Sequence, residues 1–551
     1  MDRAPLGKSS VQFMGKLTTK TCRSSISILF IASLLFSGFS AAPLRANADE
    51  LEKRTYVTLD AGLIKTHDSK IGYKISDSYW GVCYGDVSGF QNQKTMAECL
   101  EDSNLELWIN NSLGPCNTDV SIPCIEEVFA RNPNTEWLRG NFSRYLDNSH
   151  GQIHPFGEMP QYQTGEQHDR NLYAFPGLTN DPSQLFAIQP LLKTKVVRQV
   201  LYGAESLNVS LHAVKKISDW APGLSKYPLS YSSSEEYEKD LLTCTFMYDF
   251  KSGCWDYVGN SLSNQFKLVL RLPSVPNGWL TGRLYSPDIK FELVLDAAQP
   301  YRVTLIGSPI PTPAITKVYF SDDLEDKSTC NIILTEQKAP WNCDRNFETS
   351  IFYHQITEYQ NLKNKIPELD IATKIIDDWQ ISINFPDKKN PKSNGFCKSD
   401  QFNGFVSSNA LTYDQHPKFD VALKSLDYMV GGPHFMPDKS VFSGLYSMIL
   451  TREYAKCIWG LSSPVFNASV QVVDQDGVVS TAVTTIGVDD QFIRFSATGF
   501  TFSTKIMKVK FLETKKELDQ SKKKIITCVK NKKVSRFVGV ASCPKGFKVK
   551  K

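Results

Sequence analysis

The stretch HGQIHPFGE holds His150, His154 and Glu158, whose imidazole nitrogens and carboxylate are ordinary ligands of a zinc ion. They would share one face only on a helix, and Gly151, Pro155 and Gly157 favour a loop, so the expectation is surface histidines and no metal site. Glu235, Glu236 and Glu238 in SSEEYEKD, and Asp377 and Asp378 in TKIIDDWQ, supply carboxylates of the kind a glycosidase uses. That chemistry needs two carboxyls facing each other across about 5 to 10 Å, which neighbours on one element do not provide, so these runs read as solvated faces. Asp474, Asp476, Asp489 and Asp490 in VVDQDG and GVDD could offer oxygens to calcium, although turn propensity accounts for them equally well. VGGPHFMPD, around His434, forces a tight turn that either shapes a ligand cleft or simply ends a strand. No nucleophile elbow, zinc-protease helix, phosphate-binding glycine loop or EF-hand pattern occurs in the sequence. Neither a catalytic residue nor a cofactor is assigned.

Flat rings offer another route, to a glycan. Trp80, Trp108, Trp137, Trp255, Trp279 and Trp459 lie in segments rich in Gly, Asn or Tyr, where indoles and amides could form a sugar-stacking surface. Core packing is the commoner use of such residues. Asn110, Asn141, Asn208 and Asn467 begin Asn-x-Ser sequons, which matter only in a host that glycosylates.

The elements that must position these groups are mostly strands. NQFKLVLRLP alternates Phe266, Leu268 and Leu270 with Lys267 and Arg271, and IKFELVLD and YRVTLIGSP follow, which predicts an antiparallel meander. A second set, NASVQVVDQDGVVSTAVTTIGV, QFIRFSATGFTFS and IMKVKF, has Asp476-Gly477 as a hairpin turn and Asp489-Asp490 as a break. Short strands in this rhythm predict β-sandwich-like modules. One helix is expected over Pro367 to Gln380, with Leu369, Ile375, Ile376 and Trp379 on one face. The fold class is therefore mainly β and multi-domain: residues 49–180 a Cys- and Trp-containing domain, 181–313 a β-rich domain, 314–513 a sandwich-like region with one short helix, and 514–551 a small basic hairpin module.

Residues 1–48 have the pattern of a secretory signal peptide: Lys8, Lys16, Lys20 and Arg23, then the apolar run Ser24 to Ser40, then a small-residue cleavage site at Ala46 and Ala48. The run is shorter than the roughly 20 residues of a spanning helix. Met14 is an alternative translation start to Met1. Twelve cysteines remain after that segment, an even number that suits disulfides in an oxidising compartment. Proximity favours Cys83 with Cys99, Cys116 with Cys124, Cys244 with Cys254, Cys330 with Cys343, Cys397 with Cys457, and Cys528 with Cys543, while sequence alone leaves the connectivity open. A thiolate zinc site is disfavoured because no Cys-x-x-Cys occurs.

Charge is divided unevenly. Residues 49–519 carry 45 basic and 57 acidic residues, whereas residues 520–551 carry 11 basic and none acidic. The eleven are Lys522, Lys523, Lys524, Lys530, Lys532, Lys533, Arg536, Lys545, Lys548, Lys550 and Lys551. Such a tail meets a polyanion or the protein's own acidic face, unless it is only a solubilising extension. Outside a cell the polyanion is an anionic wall polymer or a lipid surface rather than nucleic acid.

FCKSDQFNGFVSSNALTYDQHPKFD, YMVGGPHFMPDKSVFSGLYSMI, YAKCIWGLSSPVFNASVQVVDQDGVVSTAVTTIGV, SATGFTFSTKIMKVKF, NGWLTGRLYSPDIKF and IITCVKNKKVSRFVGVASCPKGFK resemble successive blocks of a group of uncharacterised secreted and cell-surface proteins of free-living aquatic actinobacteria. The resemblance covers roughly residues 241–551, with an echo in PCNTDVSIPCIEEVFA. It implies export and a shared architecture, and it carries no catalytic residue. The combined expectation is an exported, surface- or wall-associated binding or adhesion protein, non-enzymatic, with a glycan or protein ligand for its β-domains. A hydrolase of polysaccharide or peptide with a site built from distant loops, and a structural envelope component, are the alternatives.

Overall fold

The computed structural model describes residues 56–61, 70–76, 79–84, 94–95, 104–118, 120–146, 170–217, 247–249, 253–320, 347–351, 355–385, 402–414, 416–460, 467–474, 477–480, 482–502, 505–512, 525–530, 533–538 and 548–549, together with Cys99, Glu101, Asp102, Cys397 and Cys543. The chain is mainly β, as the alternating pattern requires. Among the described residues the strands form sheets of 16, 6, 5, 4 and 3 members. Residues 54–551 make one compact unit. The expected leader, residues 1–48, lies outside the described residues.

A long hairpin, Gln184–Val197 with Val200–Lys216, is the middle of the largest sheet. Arg198 and Gln199 turn it with φ of 51° and 60°, the left-handed pair that matches the right-handed twist of the two strands. On one side it pairs through Gln184–Val197 with Glu106–Ser112; on the other, Val200–Lys216 pairs with Gln380–Asn384. The ladder then continues through Gly278–Arg283, Phe402–Ser408, Ser443–Thr451 and Phe492–Thr501 to the last strand, Val483–Val488.

Two smaller sheets complete two sandwiches on this shared sheet. The five-stranded one contains Tyr285–Leu293, Tyr301–Ser308, Gln265–Leu272, Cys124–Arg131 and Leu138–Arg139 in that spatial order. Its inward residues Phe266, Leu268, Leu270, Val303 and Leu305 pack with Leu207, Val209, Leu211 and Trp379. The six-stranded one is built on Ser425–Gly431, Lys505–Leu512 and Asn467–Asp474, and Tyr428, Met507 and Val509 pack against Val406, Tyr446 and Phe495. Each fully buried aliphatic side chain stabilises the fold by about 1.5 to 3 kcal/mol before chain entropy is counted.

Three local expectations are modified. The Gln265–Leu272 strand pairs with Tyr301–Ser308, and Tyr285–Leu293 lies beyond it at the edge, so the ladder is antiparallel but not a sequential meander. The cause is Gly278–Arg283, which leaves for the largest sheet between them. No helix spans Pro367 to Gln380: the segment is a short 3-10 turn at Pro367–Asp370, then strands Lys374–Asp378 and Gln380–Asn384. Ile371, Thr373, Ile375 and Ile376 are β-branched and favour extended backbone, and each strand finds a ladder partner. The helix sits upstream at Ile356–Lys365, ending just before Pro367. A second helix, Arg452–Trp459, is capped by the Thr451 hydroxyl, which accepts from the Tyr454 N–H, and is closed by Gly460 at φ 67°.

The second strand set is divided between two sheets. Asn467–Asp474 turns through Gly477, φ 78°, into Val479–Ser480, as expected of Asp-Gly. Asp489 joins Val483–Val488 to Phe492–Thr501, its carboxylate accepting from the N–H groups of Gln491 and Phe492. Ladders also run across the positions of the expected boundaries near 180 and 313: Cys124–Arg131 pairs with Gln265–Leu272, and Gly278–Arg283 with Gln380–Asn384 and Phe402–Ser408.

Cys116–Cys124 and Cys397–Cys457 are disulfides, spanning 8 and 60 residues. Loop-closure entropy makes them worth about 2.5 and 4 kcal/mol respectively. Cys99, Cys254 and Cys543 are also disulfide-bonded. The side chains of Cys83, Cys244, Cys330, Cys343 and Cys528 lie outside the described residues.

Candidate functional site

His150, His154 and Glu158 lie outside the described residues, as do Glu235, Glu236, Glu238 and the side chain of Trp80. Among the described residues no group of three or more His, Cys, Asp or Glu is placed to hold a metal ion. Of the calcium candidates, Asp474 pairs with Lys505 and Asp489 with Arg494 besides its turn N–H groups, Asp490 is exposed, and Asp476 lies outside the described residues. His434 has a structural setting. Its N–H donates to the Asp370 carboxylate at 2.9 Å and its ring Nδ1 to the Phe502 carbonyl at 2.7 Å, which ties the turn after Ser425–Gly431 to Pro367–Asp370.

Asp377 and Asp378 point to different surroundings. Asp378 is buried beside Arg283, 3.5 Å away, and burial holds its pKa up although the guanidinium pulls it down. Arg283 is itself buried, donates from Nη2 to the Leu411 carbonyl at 3.0 Å and lies 5.6 Å over the Tyr413 ring. Burial also raises Asp377, whose main-chain carbonyl accepts from the Tyr257 hydroxyl and the Asn260 amide. Two carboxyls opposed across a cleft are not formed by this pair: one is sealed in an ion pair, which costs several kcal/mol when its partner is removed.

The tryptophans separate into two groups. Trp255, Trp279 and Trp459 are buried, whereas Trp108 and Trp137 are half-buried. Trp137 belongs to a cluster on the outer face of the five-stranded sheet. The Arg131 guanidinium lies 4.4 Å from its ring centre and the Lys267 ammonium 5.0 Å, and Lys267 is also 3.8 Å from the Phe129 ring. The register explains the meeting, since Gln265 pairs with Arg131 and Lys267 with Phe129. The Gln265 amide oxygen fixes Arg131 by accepting at 3.0 and 2.7 Å. Partial burial lowers the Lys267 pKa. One row along, Glu126 takes a bidentate pair from Arg302, both contacts 2.7 Å, with Arg271 at 3.4 Å, and these cations hold its pKa down. What the cluster offers solvent is a braced set of cations on flat rings, suited to an anionic group. Alternation marks these side chains as outward-facing, but nothing local in the sequence brings Arg131 to Gln265, 134 residues away.

The basic tail contains an antiparallel hairpin, Ile525–Lys530 with Lys533–Val538, joined by Lys548–Val549 into three strands. Lys530, Lys533, Arg536 and Lys548 sit on these strands, and Lys548 is exposed. Lys522, Lys523, Lys524, Lys532, Lys545, Lys550 and Lys551 lie outside the described residues. Among the described residues no helix is long and apolar enough to cross a membrane.

Fold and side-chain chemistry together define a mainly β, disulfide-bearing protein with a cationic aromatic face and a basic terminal sheet. No family model matches the chain, and no curated protein matches it.

Proposed function

We propose that the mature chain is an exported binding or adhesion protein of the cell surface, whose β-rich body recognises a ligand and whose basic tail retains it on an anionic wall polymer or anionic lipid. The carrying observation is the charge division: 11 basic residues and no acidic one in residues 520–551, against an acidic excess over residues 49–519. A lysine or arginine close to an anionic surface contributes about 1 kcal/mol, so a handful is enough for retention at moderate ionic strength. The Arg131, Lys267 and Trp137 cluster is the part of the body best suited to a ligand, one carrying carboxylate or sulfate, such as an acidic glycan or an acidic protein segment.

The test is sedimentation of the chain, with and without residues 514–551, on purified anionic cell walls at low ionic strength. The full chain is expected in the pellet and the shortened one in the supernatant. Equal binding by both would contradict the retention role.

A further inference from the structure

The largest sheet ends on a strand that nothing among the described residues protects. All six residues of Val483–Val488 are exposed, and the strand is hydrogen-bonded only to Phe492–Thr501 among the described residues. An antiparallel ladder leaves every second N–H and C=O of its last strand directed outward, a template for another strand. Natural edges are blunted by charge, proline, bulges or shortness. Other described edges have such devices. Tyr285–Leu293 carries Pro287, Asp288, Lys290 and Glu292, Lys374–Asp378 carries three charges, and Leu138–Arg139 and Val479–Ser480 are two residues long. Residues 478–488, VVSTAVTTIGV, contain neither a charge nor a proline.

The exposed strand is also two-faced. Thr484, Ile486 and Val488 stand opposite Ala497, Phe495 and Ile493, so they share the side on which those three residues enter the core. The core stops there: Ile486 remains 41% and Val488 49% exposed. On the other side Thr485 bonds Ser496 at 2.6 Å, hydroxyl to hydroxyl, and Gly487 stands opposite Arg494. An apolar ledge therefore lies on the side of an open edge that a continuing sheet would cover.

We infer that this edge pairs with the same edge of a second copy of the chain, antiparallel about a two-fold axis at Ile486. A two-fold perpendicular to the sheet keeps like faces together and makes the contact isologous. Centred on Ile486, it sets Ile486 against Ile486 and Thr484 against Val488 from each side, extending the apolar ledge through both molecules. No like charges oppose each other in the shared ladder, because the strand has none. Residues 49–551, with 56 basic and 57 acidic residues, also have almost no net charge to drive two copies apart. A foreign strand would need no such self-matching register.

The test uses the mature chain and two variants, Ile486→Lys and Ile486→Cys, with Leu295→Cys, 75% exposed in a turn, as control. Sedimentation velocity over a range of concentrations should show a dimer for the parent, and Ile486→Lys should be monomeric with an unchanged thermal transition. The paired Cα atoms would lie about 4.5 to 5.5 Å apart, within disulfide range, so Ile486→Cys should form a covalent dimer under mild oxidation much faster than Leu295→Cys. A parent that is monomeric at every concentration overturns the inference, and so does a dimer that Ile486→Lys leaves intact. Equal cross-linking by the two cysteine variants overturns the register.

Discussion

The C-terminal module and the stretch 478–488 are opposites. One holds 11 cations in its last 32 residues and forms a small three-stranded sheet, whereas the other holds no charge at all and ends in a fully exposed strand. Attraction to the first would be Coulombic and would fall as salt screens it, over about 8 to 10 Å at physiological ionic strength. Pairing along the second would be main-chain hydrogen bonding and apolar burial, which salt does not weaken. If both proposals hold, one molecule carries two adhesive surfaces distinguishable by ionic strength alone.

The largest change should come from removing the first surface. Lys530→Gln, Lys533→Gln, Arg536→Gln and Lys548→Gln together should weaken binding to anionic vesicles by about a thousand-fold at low salt, at about 1 kcal/mol per cation, measured by co-sedimentation. Self-association should be unaltered by the same four changes; a shift in both would erase the distinction between the two regions.

Next in size is a change remote from both. Arg283→Met leaves Asp378 buried without its cation and should lower stability by about 3 kcal/mol at neutral pH in denaturant titrations. Burial raises the folded-state pKa of Asp378 above its unfolded value, and loss of Arg283 raises it further. The folded state then binds the proton more readily, so the deficit should shrink as pH falls through the folded pKa and be greatest above it. Cys116→Ser with Cys124→Ser should cost about 2.5 kcal/mol, because the closed loop is short. Smallest is Lys193→Gln, whose exposed pair with Glu205 should matter by less than about 0.5 kcal/mol in the same assay. These three sharpen the comparison by leaving salt-dependent binding and self-association as they are.

What the sequence made legible was local. Alternation announced Gln265–Leu272 and Tyr301–Ser308, Asp-Gly announced the turn at Gly477, and nearness in sequence paired Cys116 with Cys124 and Cys397 with Cys457. Order within sheets was not legible, since the exit of Gly278–Arg283 into another sheet depends on partners about 100 residues or more downstream, at Gln380–Asn384 and Phe402–Ser408. Pro367 to Gln380 misled because Leu369, Ile375, Ile376 and Trp379 fit a helical stripe, whereas Leu369 lies in the 3-10 turn, Ile375 and Ile376 in one strand, and Trp379 between two strands. There Ile376 and Trp379 are buried in different ways, Trp379 donating from its indole to the Gly307 carbonyl at 3.0 Å. The cationic aromatic face was half legible: Trp137 stood out as a residue type, but the cross-strand register that sets Arg131 and Lys267 on its ring is tertiary. The Asp378 carboxylate read as a solvated charge, and only the fold shows it sealed against Arg283.

The most direct measurement is the binding constant of the parent chain for anionic cell walls across a salt series, beside the variant with four tail glutamines. The account expects affinity that falls steadily as salt rises, with a shallower slope and weaker binding at low salt for the variant. Affinity independent of salt, or equal slopes for the two proteins, would contradict retention by the basic tail.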